Sequence, residues 1–243
     1  MNSLIDKYNI PGPRYTSYPT VPFWDEKAFT AEKWKSSVIK SFNESNGAEG
    51  ISIYIHLPFC EALCTFCACH KRITKQHSVE TPYLESVLKE WDLYLETFKS
   101  QEPRAKNQVP KIKELHLGGG TPTFFSPENL KTLLEGIFAK AEIAEEPEFS
   151  FEGHPNNTTK EHLQVLFDLG FTRCSFGVQD YDVQVQKAIN RIQPFENVER
   201  VTNWAREIGY KSVSHDLVFG LPFHNWEKME YTIRKTLELK PDR

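Results

Sequence analysis

Four of the five cysteines of this chain fall within ten residues, in the run Tyr54-Ile-His-Leu-Pro-Phe-Cys60-Glu-Ala-Leu-Cys64-Thr-Phe-Cys67-Ala-Cys69. Cys60, Cys64 and Cys67 have the spacing C-x3-C-x2-C. Three thiolates so spaced can hold three irons of a cubane [4Fe–4S] cluster, whereas a fully protein-ligated cluster takes four. The remaining iron is then free to bind a small molecule, and an open metal position is where chemistry can happen. The same loop admits two other readings. Cys60, Cys64, Cys67, Cys69 and His70 include enough donors for a tetrahedral structural zinc, although such sites more often join two separated ligand pairs. A cluster held by all four cysteines requires Cys67 and Cys69 to reach two corners of one cube across a single alanine, which is a tight span.

The elements that must position this loop alternate between strand and helix. Residues 1–49 hold the Pro-punctuated run Pro11-Gly-Pro-Arg-Tyr-Thr-Ser-Tyr-Pro-Thr20, expected to be irregular. A helix is expected near 30–42, capped by Thr30 or Asp25, before a turn at Asn46–Gly50. Strands are expected at 51–56, 112–117, 148–152, 173–178 and 212–219. Helices are expected near 82–98, from Ser126 with Pro127 at its first position, and at 159–169, 182–190, 194–208 and 226–239. The cysteine loop follows the first strand, and a polar stretch, 99–108, leads to the second.

Five strand-to-helix units in series imply a parallel sheet with right-handed crossovers. A doubly wound sheet and a (β/α) barrel both satisfy that pattern. The residues with chemical character sit at or just after successive strand ends: the cysteine loop, Gly118-Gly-Gly-Thr-Pro122, Glu152, Gln179 and Gly220-Leu-Pro222. Barrels build their sites there, while open sheets gather theirs at one switch point. The expected fold is therefore α/β, an open or partial (β/α) barrel over 50–243 with an irregular segment, 1–49, in front.

Composition is consistent with that architecture. Hydrophobic residues make up 39% of 243, with 17 Phe, 9 Tyr and 5 Trp, a globular balance with material for a large core. A net charge of −4 gives no pull toward nucleic acid or an anionic membrane surface. No apolar run long enough for a membrane span is present, and the first residues lack the apolar core of a secretory signal. An odd cysteine count with four clustered is a poor disulfide framework and a good metal site in a reducing compartment, so a cytoplasmic protein is expected.

Several segments together resemble the oxygen-independent coproporphyrinogen III oxidases (coproporphyrinogen dehydrogenases), a family of radical S-adenosylmethionine (SAM) enzymes. They are Gly12-Pro-Arg-Tyr-Thr-Ser-Tyr-Pro19, Tyr54-Ile-His-Leu-Pro-Phe-Cys60, Gly118-Gly-Gly-Thr-Pro122, Gly177-Val-Gln-Asp180 and Asp216-Leu-Val-Phe-Gly-Leu-Pro222. The resemblance implies a [4Fe–4S] cluster on Cys60, Cys64 and Cys67, and two SAM molecules. It places Tyr54, Gly119 and Glu152 at the first SAM, and Phe66, Gly120, Thr121, Gln179, Arg191 and Asp216 at the second. These residue types suit the task. Glycines let backbone approach a ligand, a carboxylate accepts from ammonium or hydroxyl groups, and arginine grips a carboxylate as a fork. Read alone, Glu152 could cap a strand, Arg191 could be a solvated helix charge, and Phe66 could simply pack.

The implied reaction is conversion of coproporphyrinogen III to protoporphyrinogen IX without oxygen. A deoxyadenosyl radical takes hydrogen from the β-carbon of a propionate, and loss of CO2 and an electron leaves a vinyl group, twice. The implied partners are the small-molecule substrate and an electron donor such as flavodoxin or ferredoxin, with the protein a monomer. No residue is assigned as catalytic; Cys69 and His56 are the candidates, although a strand histidine is more often a core residue. Cys174 reads as a small core residue.

Related haem-chaperone-like proteins share the three-cysteine loop, but usually carry an aromatic where Cys69 stands and lack the Gly12–Pro19 segment. The zinc module and a radical SAM enzyme with another substrate are two more readings of the same loop. Two departures from the family pattern are Ala68, where glycine is frequent and a positive φ could be required, and the run Gly153-His154-Pro155 after Glu152. The family's proteins are nearly twice as long, so the last strand or strands of the barrel and a helical C-terminal domain are expected to lie outside these residues.

Overall fold

The structure, a computed structural model, describes residues 29–99 and 109–243 together with 4, 7, 20, 23–25 and 27. The expected Gly12–Pro19 segment and most of the 99–108 linker lie outside the described residues. Two compact units divide at Ser41 and Phe42. Helix α1, Ala31–Ser45, is capped by Thr30, whose Oγ1 accepts the Lys33 N–H at 3.2 Å. Asp25 instead accepts the Lys27 N–H.

The second unit is built on strands β1 (Ile51–Leu57), β2 (Phe59–Cys60), β3 (Arg72–Ile73), β4 (Lys111–Gly119), β5 (Glu142–Gly153), β6 (Phe171–Gln179) and β7 (Ser212–Leu217). Its helices are α2 (Glu80–Lys99), α3 (Pro127–Phe138), α4 (Lys160–Asp168), α5 (Val183–Ala188), α6 (Phe195–Ile208) and α7 (Trp226–Glu238). Side-chain caps start four of them as turn chemistry requires, Asn225 accepting from Lys228 N–H at the head of α7. Ser126 accepts from Asn129 N–H with Pro127 next, Thr159 and His162 form a capping box, and Asp182 accepts from Val185 N–H.

Five strands form one parallel sheet in the order β1-β4-β5-β6-β7. Each strand is added on the same side of the last, so there is no reversal and no switch point. That order is the sector of a barrel, and it decides between the two architectures the alternation allowed. Beyond β7, Asp242 N–H bonds Val213 O and His215 N–H bonds Arg243 O, both at 2.9 Å.

The pleat sorts residues into two unlike faces. One register row runs Ile55, Leu117, Phe151, Cys174, Val213, and all five are buried. This face meets the helices; Phe138 of α3, for example, stacks on Phe149. The adjacent row runs Tyr54, His116, Ser150, Arg173, Ser212. Parallel strands buried on both faces are apolar throughout. A polar row therefore marks the inner face of the barrel sector as one built for ligands or water. It is tied by bonds from Ser52 to Glu114, His116 to Ser150 and Ser175 to Asp216.

β5 begins at Glu142, well before the expected 148. Glu145, Glu146 and Pro147 hide this part of the strand, because proline and charge disfavour a ladder. A register shift opposite Ile112 and Glu114 absorbs them.

On the helix side, His215 is buried, bonded through Nε2 to Thr202 Oγ1 at 2.9 Å, while its Nδ1 has no partner. Burial, reinforced by Arg206, lowers its pKa to about 4. The folded state thus disfavours the proton that the unfolded chain accepts near pH 6.5. Stability should be full above pH 6.5 and decline as pH falls toward 4, where the folded group itself titrates. Urea midpoints measured at pH 7 and pH 4.5 should show a smaller decline for His215→Gln than for the unaltered protein.

Candidate functional site

A cavity of about 390 Å³ opens at the C-terminal ends of the strands, between the cysteine loop and the turns after β4, β5 and β6. It lies in the size range of small-ligand pockets. Cys60, Cys64, Phe66, Cys67, Cys69, Gly119, Gly120, Thr121, Glu152, Gln179, Arg191 and Asp216 all line it. Residues up to 156 positions apart in sequence, Cys60 and Asp216, thus meet at one opening.

The cysteine loop is bracketed by a short parallel ladder between β2 and β3. Arg72 N–H bonds Pro58 O and Thr74 N–H bonds Cys60 O, at 2.8 and 2.9 Å. Lys71 closes the loop from within, donating from Nζ to Cys67 O and Cys69 O at 3.0 and 3.2 Å. All the cysteines are free thiols. Cys60 Sγ lies 3.3 Å from Thr121 Oγ1. Burial pushes the Cys60 thiol up, with Thr121 and Arg191 pulling it back. Burial, followed by the neighbouring Cys67, also raises Cys69. Metal binding here must release thiol protons. Ala68 is absent from the positive-φ residues, so the loop makes no demand for glycine there and its alanine carries no strain.

The glycine run after β4 lies directly against the chain that enters the cysteine loop. Gly120 N–H bonds Leu57 O and Thr121 N–H bonds Phe59 O, at 2.9 and 3.0 Å. Gly119 has φ +111°, and a Cβ there would stand 2.7 Å from the His56 ring. A Cβ on Gly120 would stand 2.6 Å from the Pro58 carbonyl carbon. Only bare backbone fits between strand end and loop.

Tyr54 and His56 do not line the cavity. They belong to the polar inner face, where Tyr54 stacks on His116 with ring centroids 5.8 Å apart. His56 Nε2 lies 2.8 Å from His70 O. A carbonyl only accepts, so Nε2 carries the proton and Nδ1 receives the Tyr54 hydroxyl at 3.1 Å. The expectation of a packed core histidine is corrected: the strand's other face carries the core, and His56 is a half-buried strut under the cysteine loop.

The remaining expected residues come from three strand ends and a helix end. Glu152 is the last residue but one of β5, half exposed, 3.5 Å from His116 Nε2. Gln179 ends β6 at φ +67° beside a register shift. Asp216 of β7 accepts the Ser175 hydroxyl at 2.6 Å. Arg191, just past α5, is no solvated helix charge: Nη2 donates to Gly177 O at 2.6 Å and Nη1 reaches Cys64 Sγ at 3.6 Å.

Lys71, His154 and Asn190 also line the cavity and were not among the candidate site residues read from the sequence. Burial, aided by Arg191, lowers His154 to a pKa of about 3, and its Nδ1 accepts the Asn156 N–H at 3.1 Å. It therefore stands neutral as a packing group with one acceptor. The signal for the polar inner face was present in the alternation of His116, Ser150 and Ser175 with apolar neighbours.

Among the described residues, no three His, Cys, Asp or Glu side chains converge as ligands of a single metal ion. Three soft thiols around one cavity suit a polynuclear cluster, whose corners stand apart. Residues 54–236 match the model of the Radical SAM superfamily. The chain belongs to that superfamily. A radical SAM protein takes a [4Fe–4S] cluster and SAM as its cofactors, and the α/β fold expected from the sequence is that of the superfamily.

The chain is 42% identical over 238 residues to the oxygen-independent coproporphyrinogen III oxidase of Helicobacter pylori (strain J99), covering 98% of this chain and 50% of that protein. The protein of the same description from Escherichia coli (strain K12) is 34% identical over 241 residues, 99% of this chain and 50% of the relative. The solved structure of coproporphyrinogen III oxidase (HemN) from Escherichia coli superposes with a TM-score of 0.80 at 32% identity, over 94% of this chain and 49% of that one. The methyltransferase TsrM from Kitasatospora setae, at 14% identity and a TM-score of 0.51, shares the fold alone. The chain spans about half the length of the curated relatives it matches. The resemblance read from the motifs thus holds.

Proposed function

We propose that the protein of which this radical SAM sector is part converts coproporphyrinogen III to protoporphyrinogen IX by oxygen-independent oxidative decarboxylation. The observation that carries this reading is the cavity at the strand ends. It joins the cysteine loop, the glycine run and Glu152, Gln179, Arg191 and Asp216, in a chain similar over nearly its whole length to proteins so described. Those relatives favour the oxidase over the haem-trafficking and zinc readings.

Cys60, Cys64 and Cys67 would hold the cluster, leaving one iron for SAM. When bound, the cluster and SAM supply a one-electron source of a hydrogen-abstracting radical. The chain's residues bind and orient. Gly119 and Gly120 present bare backbone to a ligand at the cavity wall. Glu152, at the cavity wall, accepts from ammonium or hydroxyl groups, and with Tyr54 serves the SAM on the cluster. Phe66, Thr121, Gln179, Arg191 and Asp216 serve the second SAM. Hydrogen-atom abstraction asks for no side-chain base, which suits a cavity whose histidine, His154, is made a weak base by burial. Cys69 and His56 remain the candidates for any further catalytic part. In this reading residues 1–49 precede a barrel sector at 50–243. The protein is a cytoplasmic monomer reduced by a donor such as flavodoxin or ferredoxin.

Among the described residues, no helix is long and apolar enough to cross a membrane.

The test is anaerobic reconstitution with iron and sulfide, then EPR of the reduced protein. A [4Fe–4S]⁺ signal that changes on adding SAM is expected, followed by coproporphyrinogen turnover in the full-length protein. Folded protein that takes up zinc and forms no cluster would overturn the reading.

A further inference from the structure

The middle of the cysteine loop is docked on the turn that ends α5. Thr65 N–H bonds Ile189 O at 3.1 Å, and Thr65 Oγ1 bonds Ala188 O at 3.2 Å. Asn190 Nδ2 donates to Leu63 O at 2.8 Å. Asn190 has φ +53°, a left-handed conformation that asparagine tolerates better than most residues. That kink sends the next residue, Arg191, back toward the loop. Its Nη2 is fixed on Gly177 O at 2.6 Å while Nη1 reaches Cys64 Sγ at 3.6 Å. Gly177 makes room for it, since a Cβ there would stand 2.9 Å from Nη2. Four contacts thus converge on residues 63–65, and one of them ends on a ligand sulfur.

We propose that Arg191 is a positioning residue for the cluster: its guanidinium, anchored on Gly177 O, donates to the Cys64 sulfur and sets the cluster's reduction potential. The inference rests on the radical SAM reading of the loop and goes beyond the role the resemblance gives Arg191. Reduction adds negative charge that is shared onto the ligand sulfurs. A cation and an N–H donor at one sulfur stabilise the reduced form and raise the potential. The planar fork suits arginine, because one rigid group spans a carbonyl and a thiolate at once. Each Nη carries two N–H groups and uses one in these bonds, so donors remain for a ligand carboxylate and the two roles coexist.

The experiment is a redox titration of the reconstituted cluster, followed by EPR without SAM, for the unaltered protein, Arg191→Gln and Arg191→Lys. Iron and sulfide content and circular dichroism are measured alongside. Arg191→Gln should load a cluster whose ratio of reduced to oxidised form, at a fixed potential, falls by about tenfold, equivalent to about 59 mV for one electron. Arg191→Lys keeps the charge without the fork and should fall part of the way. Should Arg191→Gln fail to fold, the Lys variant decides by the same readout. Loaded variants with an unchanged potential would overturn the inference and leave the radical SAM reading intact. An unaltered protein that forms no cluster would overturn both.

Discussion

Cys64→Ser should abolish the cluster and with it the SAM-responsive EPR signal. Cys64 supplies one of the three loop thiolates, and its sulfur lies at the cavity wall beside Arg191. A serine hydroxyl is a hard and weakly acidic donor where iron–sulfur chemistry asks for a thiolate. With two cysteines left at the C-x3-C-x2-C spacing, a cubane has too few corners held. Iron and sulfide after reconstitution should fall by about tenfold or more, on the scale of losing an obligatory cluster ligand. Two further variants give the contrast. Cys69→Ser should retain the cluster, because Cys69 is exposed and lies outside the proposed ligand set of Cys60, Cys64 and Cys67. Cys174→Ser should also load, but with lower stability, since its thiol is buried on the helix side of β6 and a hydroxyl there lacks a solvent partner. Cluster retained in Cys64→Ser and lost in Cys69→Ser would reassign the ligands.

Gly120→Ala should unlock the glycine run from the cysteine loop. The new methyl would meet Pro58 C at 2.6 Å, Pro58 O at 2.7 Å and Phe59 O at 2.9 Å. These are backbone atoms of the segment that enters the loop, so no rotamer change relieves them. The bonds from Gly120 N–H to Leu57 O and from Thr121 N–H to Phe59 O must stretch, drawing Thr121 away from Cys60. The expected cost is about 2–4 kcal/mol, the range of severe steric substitutions. For a chain of this size that lowers Tm by roughly 5–15 °C. Gly47 has open space around its Cβ position, and Gly47→Ala should leave Tm within about 2 °C, as surface substitutions do. Melting curves of the three proteins check this directly. Equal melting temperatures for Gly120→Ala and Gly47→Ala would show that the glycine run yields.

Local signals in the sequence determined a good deal. The three-cysteine spacing, the helix starts at Ser126 and Thr159, Pro127 at the first of them and the strand-to-helix alternation each act over a few residues, and each appears in the fold where its chemistry places it. The candidate residues were named through motif resemblance and their position at strand ends, not through any local physics, and all of them but Tyr54 and His56 line the cavity. Sequence position alone left three matters open that the tertiary structure decided. Strand order was undetermined, because alternation is the same in a doubly wound sheet and a barrel; only the pairing of β1 with β4, and each later strand with the last, excludes a switch point. The start of β5 was hidden, because Glu145, Glu146 and Pro147 disfavour a strand until β4 supplies a partner that can shift register around them. The setting of individual polar groups was beyond reach as well. His56 sits under the loop because its side of the pleat faces inward, and Arg191 reaches Cys64 across 127 positions because a left-handed Asn190 turns it there. Capping, turn and ligand spacing are short-range, so the sequence carries them directly. Register, facing and long-range hydrogen bonds arise when distant strands pair, and only the folded chain sets them.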